Sequence, residues 1–383
     1  MKIKEVLAKK IKDSRNGETI EVEINGCKAS APEGKSTGKY ENFPYKKNID
    51  WNIESINKLN ELKSIEINKF DELEKIENLI KERFKLKEAK QFGANALFAL
   101  ESAILKALAK SKKKELWEIV NPKLKEWKMP VPLGNAVGGG LHSSNIGKPV
   151  FQEFLIIPNG ESFEKNVETM NEVYNKIGMM INGKDKNDEG AWETSLTDED
   201  ILGLLDGFKE KVKIGIDVAA STFYDKNEKK YKYRKIKLTR GHQIAYINNL
   251  IEKHNLFYVE DPLEEEDFQG FKEINKNNLI VGDDLTTTNI ERAEKAIKMR
   301  SINGMIIKPN QNGSLLEVKK IFDICRKKNI KTILSHRSGE TMDNAISDYA
   351  FAFQADFVKF GLATKWREVK LKRLIEIEKS LKR

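Results

Sequence analysis

Residues 256–310 decide the fold of this chain, because three apolar runs within them each end in a charged side chain. The runs are LFYVEDP at 256–262, NLIVGDD at 278–284 and GMIIKPN at 304–310. Short apolar runs separated by amphipathic helical stretches are typical of buried strands in a parallel sheet. The charged residues that follow these strands are Glu260, Asp283 and Lys308.

The same alternation continues on both sides of this stretch. Further runs are FQEFLIIP at 151–158, KVKIGIDV at 211–218, KTILSH at 331–336 and ADFVKF at 355–360. The polar residues that end the runs lie at 260, 283 and 308, and then at 336 and 359. Each interval is close to one strand-plus-helix unit of about 25–30 residues. The pattern predicts a closed α/β barrel whose carboxyl strand ends meet at one mouth.

The first part of the chain has a different pattern. Residues 18–24 (ETIEVEI) alternate polar and apolar side chains, as a half-buried strand does. In residues 53–109 the apolar residues recur every three or four positions, which predicts helices. Residues 91–109 are apolar enough to predict a buried helix. Two prolines at 130 and 132 end the helical region. We therefore predict one domain over 1–128 and the barrel over 129–383.

Composition narrows the class of protein. The chain has 383 residues, of which 39% are hydrophobic and 33% charged, as in soluble globular proteins. No run approaches the ~20 apolar residues of a membrane span, and the N-terminus lacks the apolar core of a signal peptide. We expect a cytoplasmic protein with reduced thiols at Cys27 and Cys325. The net charge of +9 is spread along the chain, so we do not expect a nucleic-acid partner.

Three carboxylates follow strands at the predicted mouth, namely Asp217, Glu260 and Asp283. Each could be a helix cap or an ion-pair partner, but their recurrence at consecutive strand ends favours a magnesium site. Lys308 lies one strand beyond. Beside bound cations a buried lysine has a lowered pKa and can act as a base. A purely neutralising role for Lys308 stays open.

Two further segments carry chemistry. Residues 335–341 (SHRSGET) follow a strand and are predicted to open a helix, where Arg337, Ser338 and backbone N–H groups would bind phosphate. A capping box from Ser338 is the weaker interpretation. Glu153 lies within an apolar run, where a carboxylate is costly unless it is paired or serves as an acid or base. Residues 188–190 (DEG) are predicted to lie in a loop.

At this point the chain resembles the enolase family, in forms more similar to archaeal members than to others. The motifs occur in family order and cover nearly the whole chain. They are DSR at 13–15, GKSTGKYE at 34–41, GGGLHSS at 138–144, QEFLIIP at 152–158, DEG at 188–190, GIDVAAS at 215–221, VEDP at 259–262, GDDLTTTN at 282–289, KPNQNGS at 308–314, SHRSGET at 335–341, VKFG at 358–361 and KRLIEIE at 372–378.

The resemblance implies an enolase-type (β/α)8 barrel whose first hairpin breaks the usual order, with a smaller N-terminal α+β domain. It implies Mg²⁺-dependent dehydration of 2-phosphoglycerate to phosphoenolpyruvate by a homodimer or higher homo-oligomer. Lys308 would remove the C2 proton, and Glu189, supported by Glu153, would protonate the leaving hydroxide. The implied roles are metal binding by Asp217, Glu260, Asp283 and Ser36; proton transfer by Lys308, Glu189 and Glu153; and substrate binding by His142, Gln152, His336, Arg337, Ser338 and Lys359.

Four segments depart from the family pattern. The chain is shorter between Tyr40 and Asp50, and Lys35 replaces an alanine. Residues 191–194 read Ala-Trp-Glu-Thr where the family has Gly-Phe-Ala-Pro, and residues 359–367 are altered and shortened. Two alternatives follow: an enolase-like enzyme for another hydroxy acid, or a non-catalytic binding protein. The retained metal ligands, lysine base and phosphate segment favour enolase activity.

Overall fold

The N-terminal domain is a three-stranded antiparallel sheet packed on helices. The computed structural model describes residues 1–34 and 38–382. The elements of this domain are β1 (Val6–Lys12), β2 (Glu18–Ile24), β3 (Cys27–Ser30), α1 (Ile49–Asn57), α2 (Leu73–Phe84), α3 (Ala94–Lys112) and α4 (Leu116–Val120). The alternating run at 18–24 is β2, as predicted. The apolar helix α3 is buried against β2 and β3. No helix among the described residues is long and apolar enough to cross a membrane.

The rest of the chain alternates strands and helices. The elements are β4 (Val131–Gly138), β5 (Glu153–Pro158), α5 (Phe163–Met180), β6 (Trp192–Glu193), α6 (Asp198–Asp206), β7 (Val212–Asp217), β8 (Tyr224–Asp225), β9 (Lys230–Lys232), β10 (Lys237–Thr239), α7 (Arg240–His254), β11 (Tyr258–Glu260), α8 (Phe268–Glu273), β12 (Leu279–Gly282), α9 (Ile290–Lys298), β13 (Gly304–Ile307), α10 (Pro309–Asn312), α11 (Leu315–Lys327), β14 (Lys331–Ser335), α12 (Ala345–Ala352), β15 (Phe357–Lys359) and α13 (Lys365–Leu381).

Eight of these described strands close a barrel, in the order β4, β5, β7, β11, β12, β13, β14 and β15. Hydrogen bonds between β15 and β4 complete the ring. The short strand β6 pairs with the last two residues of β4. Strands β8, β9 and β10 form a small antiparallel sheet outside the ring. The predicted enolase-type barrel with a smaller α+β domain is therefore confirmed.

Strand β5 runs against its neighbours, which decides where its first residue lies. No α-helix connects β4 to β5 in this fully described segment, whereas α5 and α6 both lie between β5 and β7. Residues 139–152, which connect the two strands, form no α-helical crossover, and β5 runs antiparallel to β4 and β7. Glu153 consequently pairs with Gly138 and Asp217 at the carboxyl ends of those strands. The sequence pattern had placed Glu153 inside the strand. In the structure it is the first residue of β5 and lies at the mouth.

The interior of the barrel is filled below the mouth. Alternate residues of the strands point inward and form a closed apolar cluster, as is usual for this fold. Its buried members are Leu133, Leu155, Ile157, Tyr258, Leu279, Val281, Ile306, Ile333 and Phe357. The barrel is thus a packed core, and polar side chains gather at its carboxyl end.

The segment 335–341 does not open a helix, and that prediction is wrong. After β14 the chain stays irregular until α12 begins at Ala345. The reason is its pairing with the N-terminal domain. Gly339 exchanges two backbone hydrogen bonds with Glu33, of 2.7 and 2.8 Å, and the N–H of Ser14 donates to the carbonyl of Glu340 at 2.7 Å. These bonds hold the backbone extended.

The two domains are joined by residues 121–130, all of which the structure describes. This segment contains no helix or strand and lies between α4 and β4. We propose that the boundary predicted between residues 128 and 129 lies here.

Candidate active site

One cavity at the barrel mouth gathers the predicted site residues. All of those that the structure describes line it, except Glu260, which is fully buried behind Lys359. Ser36 lies outside the described residues. The lining side chains that the sequence predicted are His142, Gln152, Glu153, Glu189, Asp217, Asp283, Lys308, His336, Arg337, Ser338 and Lys359.

Lys359 lies at the centre of the mouth and joins carboxylates from three other strands. Its Nζ lies 2.9 Å from Oε2 of Glu260, 3.3 Å from Oδ2 of Asp217 and 2.8 Å from Oε2 of Glu153. Burial lowers the pKa of Lys359, but these carboxylates raise it well above its ordinary value. Lys359 is therefore an ammonium that holds the three acids together.

Asp217 and Glu260 lie side by side in register at the ends of β7 and β11. Burial raises the pKa of both carboxyl groups, and Lys359 opposes that rise. The Tyr258 hydroxyl also donates to Oε2 of Glu260 at 2.6 Å, and Nε2 of Gln152 donates to Oδ2 of Asp217 at 3.3 Å. Both acids are fixed in place by these partners.

Lys308 is paired with Asp283, through its Nζ and Oδ2 of the aspartate. Burial lowers the pKa of Lys308, but the Asp283 carboxylate raises it more, so the pKa lies above its ordinary value. The sequence predicted a lowered pKa beside bound cations. The contact with Asp283 acts in the opposite direction, because a neighbouring carboxylate stabilises the ammonium.

The donor set around Asp283 fits a divalent cation. Its Oδ1 is buried and has no hydrogen-bond partner among the described residues. The side chain of Asp261 accepts from the backbone N–H groups of Asp283 and Asp284, at 3.0 and 2.7 Å, which fixes this turn at the end of β12. Hard carboxylate oxygens on neighbouring strand ends suit magnesium. The other two carboxylates that the sequence predicted for this site, Asp217 and Glu260, are both partnered by Lys359.

Within the described residues, a second group has ligand atoms within 4.8 Å of one another, and its members are His142, Glu153 and Glu189. Nδ1 of His142 lies 3.4 Å from Oε1 of Glu153 and 3.6 Å from Oε2 of Glu189. Burial raises the pKa of Glu189, but the His142 charge and other cations lower it to about 2. Burial lowers the pKa of His142, but Glu189 and Glu153 raise it above its ordinary value. Of these three groups, the imidazole therefore holds its proton most strongly.

The loop that carries Glu189 is shaped by its own polar groups. Oδ1 of Asn187 accepts from the backbone N–H groups of Glu189 and Ala191, at 3.0 and 2.9 Å. Gly190 has a φ of +86°, and the Tyr174 hydroxyl donates to its carbonyl at 2.5 Å. A left-handed glycine thus turns the chain so that Glu189 points into the cavity.

The predicted phosphate-binding residues lie where the two domains meet. Nη2 of Arg337 lies 2.9 Å from Oε2 of Glu41, and Nη1 of Arg15 donates to Oγ of Ser338 at 3.3 Å. Gly34 packs so closely on the guanidinium that a Cβ there would lie 1.9 Å from Nη2 of Arg337. A Cβ at position 34 would therefore displace this guanidinium, and the N-terminal domain completes this side of the cavity.

Sequence reasoning missed several acidic residues of the mouth. Asp261 and Asp284 line the cavity, and burial raises the pKa of Asp284 to about 7. Each of them directly follows another acidic residue, in VEDP and in GDD. The sequence analysis assigned a role only to the first acid of each pair. Glu41 ends the GKSTGKYE motif, but only the fold shows its pairing with Arg337.

Comparisons with known proteins agree with this geometry. The family model described as "Enolase, C-terminal TIM barrel domain" matches residues 126–383, and "Enolase, N-terminal domain" matches residues 3–120. An enolase of Methanocorpusculum labreanum is 36% identical over 403 aligned residues, covering 98% of each chain. An enolase of Picrophilus torridus is 36% identical and covers 99% of each chain. One of Ehrlichia ruminantium is 34% identical, covering all of this chain and 97% of its own.

Proposed function

Because this chain belongs to the enolase family, we propose that it is a phosphopyruvate hydratase, a lyase that converts 2-phosphoglycerate reversibly to phosphoenolpyruvate. The observation that carries the proposal is a single cavity with three kinds of group. It is lined by a buried lysine, a carboxylate–imidazole group and an arginine suited to phosphate. Each meets one demand of the reaction: removing a carbon-bound proton, expelling hydroxide and holding a phosphorylated acid.

We assign metal binding to Asp217, Glu260 and Asp283, with Ser36 as a ligand of a second ion. The buried, unpartnered Oδ1 of Asp283 supports this assignment. When bound, Mg²⁺ would supply positive charge beside the substrate carboxylate, which makes a neighbouring C–H acidic enough to remove. Lys359 must then leave Asp217 and Glu260, and it can turn its ammonium to the substrate carboxylate.

Lys308 is the proposed base. The C2 proton passes to its Nζ, and the electron pair left on C2 forms the new double bond as the C3–O bond breaks. The amine must enter the reaction neutral, and its contact with Asp283 favours the ammonium. That contact therefore has to be released before Lys308 can accept a proton.

Glu189 is the proposed acid. It gives a proton to the C3 hydroxyl oxygen, which leaves as water. His142, the group of this cluster that holds a proton most strongly, lies only 3.6 Å from Oε2 of Glu189. His142 and Glu153 are therefore placed to return a proton to Glu189. His336 also faces Glu189, with its Nε2 4.0 Å from Oε1, and burial lowers the pKa of His336 well below its ordinary value.

Arg337 and Ser338 are the proposed phosphate contacts, and Gln152 lies beside Asp217 on the opposite side of the mouth. A planar guanidinium can donate two parallel hydrogen bonds to a phosphate. Glu41 holds that guanidinium in the free enzyme, at 2.9 Å. Substrate phosphate would compete with this carboxylate for the same donor.

Formation of phosphoenolpyruvate, followed by its ultraviolet absorbance, tests the proposal. Turnover of 2-phosphoglycerate should require Mg²⁺, stop on chelation and return when Mg²⁺ is added. Asp283→Asn should lose both metal affinity and rate. Asp323→Asn, at a half-exposed aspartate paired with Lys319 and Arg326 outside the mouth, is the matched control. Full activity in excess EDTA would refute the metal assignment.

We further propose a small-molecule substrate, a homodimer or higher homo-oligomer, and a cytoplasmic location. A different hydroxy acid or a non-catalytic role is not favoured, because the described site residues are retained and gathered at one mouth.

A further inference from the structure

The four residues 191–194 lie between two segments that form the mouth. They follow the loop of Glu189 directly, and two of them form β6. In β6, Trp192 pairs with Val137 and Glu193 pairs with Gly138, at the end of β4. The chain that leaves β4 there is the segment 139–150, called here the His142 loop. The 191–194 segment thus lies against the root of the His142 loop.

Trp192 anchors this segment in the body of the barrel domain. Its ring stacks on Tyr174 of α5 with centroids 5.3 Å apart, and Nε1 donates to the carbonyl of Tyr174 at 3.0 Å. Gly178 and Gly183 make room for the indole, since a Cβ at either would lie 2.3 or 2.7 Å from a ring atom. Nζ of Lys186 lies 4.3 Å from the ring centroid on the outer side. These contacts of Trp192 therefore fix the position of the neighbouring Glu193 backbone.

From this anchor, Glu193 reaches the His142 loop. The backbone N–H of Ser144, two residues beyond His142, donates to Oε1 of Glu193 at 2.9 Å. The far end of the same loop is held from a different element, since the guanidinium of Arg234 donates to the carbonyls of Gly147 and Lys148. Within the loop, Nζ of Lys148 donates to the carbonyl of Ser143 at 2.6 Å. Glu193 thus ties this loop to the segment that follows Glu189.

We propose that Glu193 is a positioning residue, which holds the His142 loop against the Glu189 segment and so sets the approach of His142 to Glu189. The inference rests on the proposed function for its catalytic consequence. The tie itself rests on Trp192, β6 and the contact with Ser144.

Removal of the tie should free the loop while leaving its anchor in place. In Glu193→Ala the N–H of Ser144 loses its acceptor. We expect kcat for 2-phosphoglycerate to fall about tenfold, in the range for loss of one charge-assisted hydrogen bond, with a smaller change in KM. Glu193→Gln keeps an acceptor oxygen at the same reach and should retain most of the rate.

Two measurements detect the contact between Glu193 and the His142 loop independently of enzyme activity. The first is hydrogen exchange of residues 139–150 by mass spectrometry, which should become faster in Glu193→Ala and stay slow in Glu193→Gln. The second is the ring resonance of His142, which can be resolved because the chain has 4 histidines and assigned with His142→Gln. It should move in Glu193→Ala alone. Glu199→Ala, at an exposed glutamate paired with Lys253, is the matched control.

The outcomes separate the two proposals. Unchanged exchange and an unchanged His142 resonance in Glu193→Ala would overturn the tie. Faster exchange with unchanged resonance and unchanged kcat would overturn the positioning role. An unmodified protein that fails to convert 2-phosphoglycerate with Mg²⁺ would refute the proposed function, while exchange and resonance still decide whether Glu193 positions His142.

Discussion

At the scale of single residues, the cations that face the mouth are each held by an acid. Lys308 is paired with Asp283, Lys359 with Glu260, and Arg337 with Glu41. A bound substrate or metal ion must therefore exchange places with a partner that the protein already provides. Truncation of any one member leaves a buried charge unpaired, which costs stability as well as activity. Amide replacements of the acids, which keep the shape, separate these two effects.

Arg337→Ala should weaken recognition of the substrate phosphate. Loss of a charge-assisted contact of about 1.5–3 kcal/mol corresponds to a rise in KM of roughly 10- to 100-fold, with a lower kcat. Steady-state kinetics with 2-phosphoglycerate measure both. Arg240→Ala, at an arginine paired with Asp267 and Glu273 away from the mouth, should leave KM unchanged. Equal use of glycerate and 2-phosphoglycerate by the unmodified protein would contradict the phosphate assignment.

The residues that end parallel strands were predictable, because unit spacing places them at one mouth. Asp217, Glu260, Asp283, Lys308 and Lys359 lie there. The contacts between these side chains could not be predicted. Spacing along the chain does not determine distances across a barrel, so the contacts of Lys359 with acids of three other strands follow only from ring closure.

At the scale of elements, the sequence pattern does not show in which direction a strand runs. The apolar run at 151–158 predicted a strand correctly, but a buried strand has the same composition in either direction. The antiparallel setting of β5 brings Glu153 to the mouth. Residues 335–341 fail for a related reason, since hydrogen bonds to Glu33 from the other domain override the local preference for a helix. The two-residue strand β6 is too short to leave a periodic signal.

Gly178→Ala should displace Trp192 and loosen β6. An added Cβ would lie 2.3 Å from the indole, so the ring or α5 must move. We expect a loss of about 1–3 kcal/mol of unfolding free energy, measured by denaturant titration, together with a change in tryptophan fluorescence. Gly203→Ala in α6 is the control, because nothing lies within 4 Å of its added Cβ and alanine favours helix. Equal stability of the two variants would contradict the packing described for Trp192.

At the scale of the whole molecule, two carboxyl groups join the domains, the buried Glu101 and the half-buried Glu77. Glu101 of α3 accepts from the backbone N–H of Leu315 at 2.8 Å, and Glu77 of α2 accepts from the hydroxyl of Ser314 at 2.5 Å. Glu101 thus accepts an N–H of the first turn of α11 in the barrel, and Glu77 holds the hydroxyl of the N-cap residue Ser314. Burial, and then the charge of Glu77, raises the pKa of Glu101 well above its ordinary value of 4.5. The folded protein therefore keeps a proton on Glu101 that the unfolded chain releases.

This proton makes stability depend on pH. Above pH 4.5 the unfolded chain releases the Glu101 proton that the folded state keeps, so the contribution of Glu101 to stability falls as pH rises until its folded-state pKa is passed. Glu101→Gln keeps an acceptor for Leu315 and carries no titrating proton. Its free energy of unfolding should decline less steeply across neutral pH, by up to about 1.4 kcal/mol per pH unit. Denaturant titrations over this range measure the difference.

The control for this comparison is Glu168→Gln, at an exposed glutamate paired with Lys165. It should follow the pH dependence of the unmodified protein. If Glu101→Gln also follows that dependence, Glu101 does not carry its proton in the folded state.

The central claim assigns removal of the C2 proton to Lys308 and departure of the C3 hydroxide to Glu189. Proton NMR of 2-phosphoglycerate in deuterated buffer with Mg²⁺ tests it most directly, because exchange at C2 reports the first step alone. Turnover should fall roughly 10²–10⁴-fold in both Lys308→Ala and Glu189→Gln. Exchange at C2 should vanish in Lys308→Ala and persist in Glu189→Gln. Exchange that survives in Lys308→Ala and is absent from Glu189→Gln would contradict the assignment.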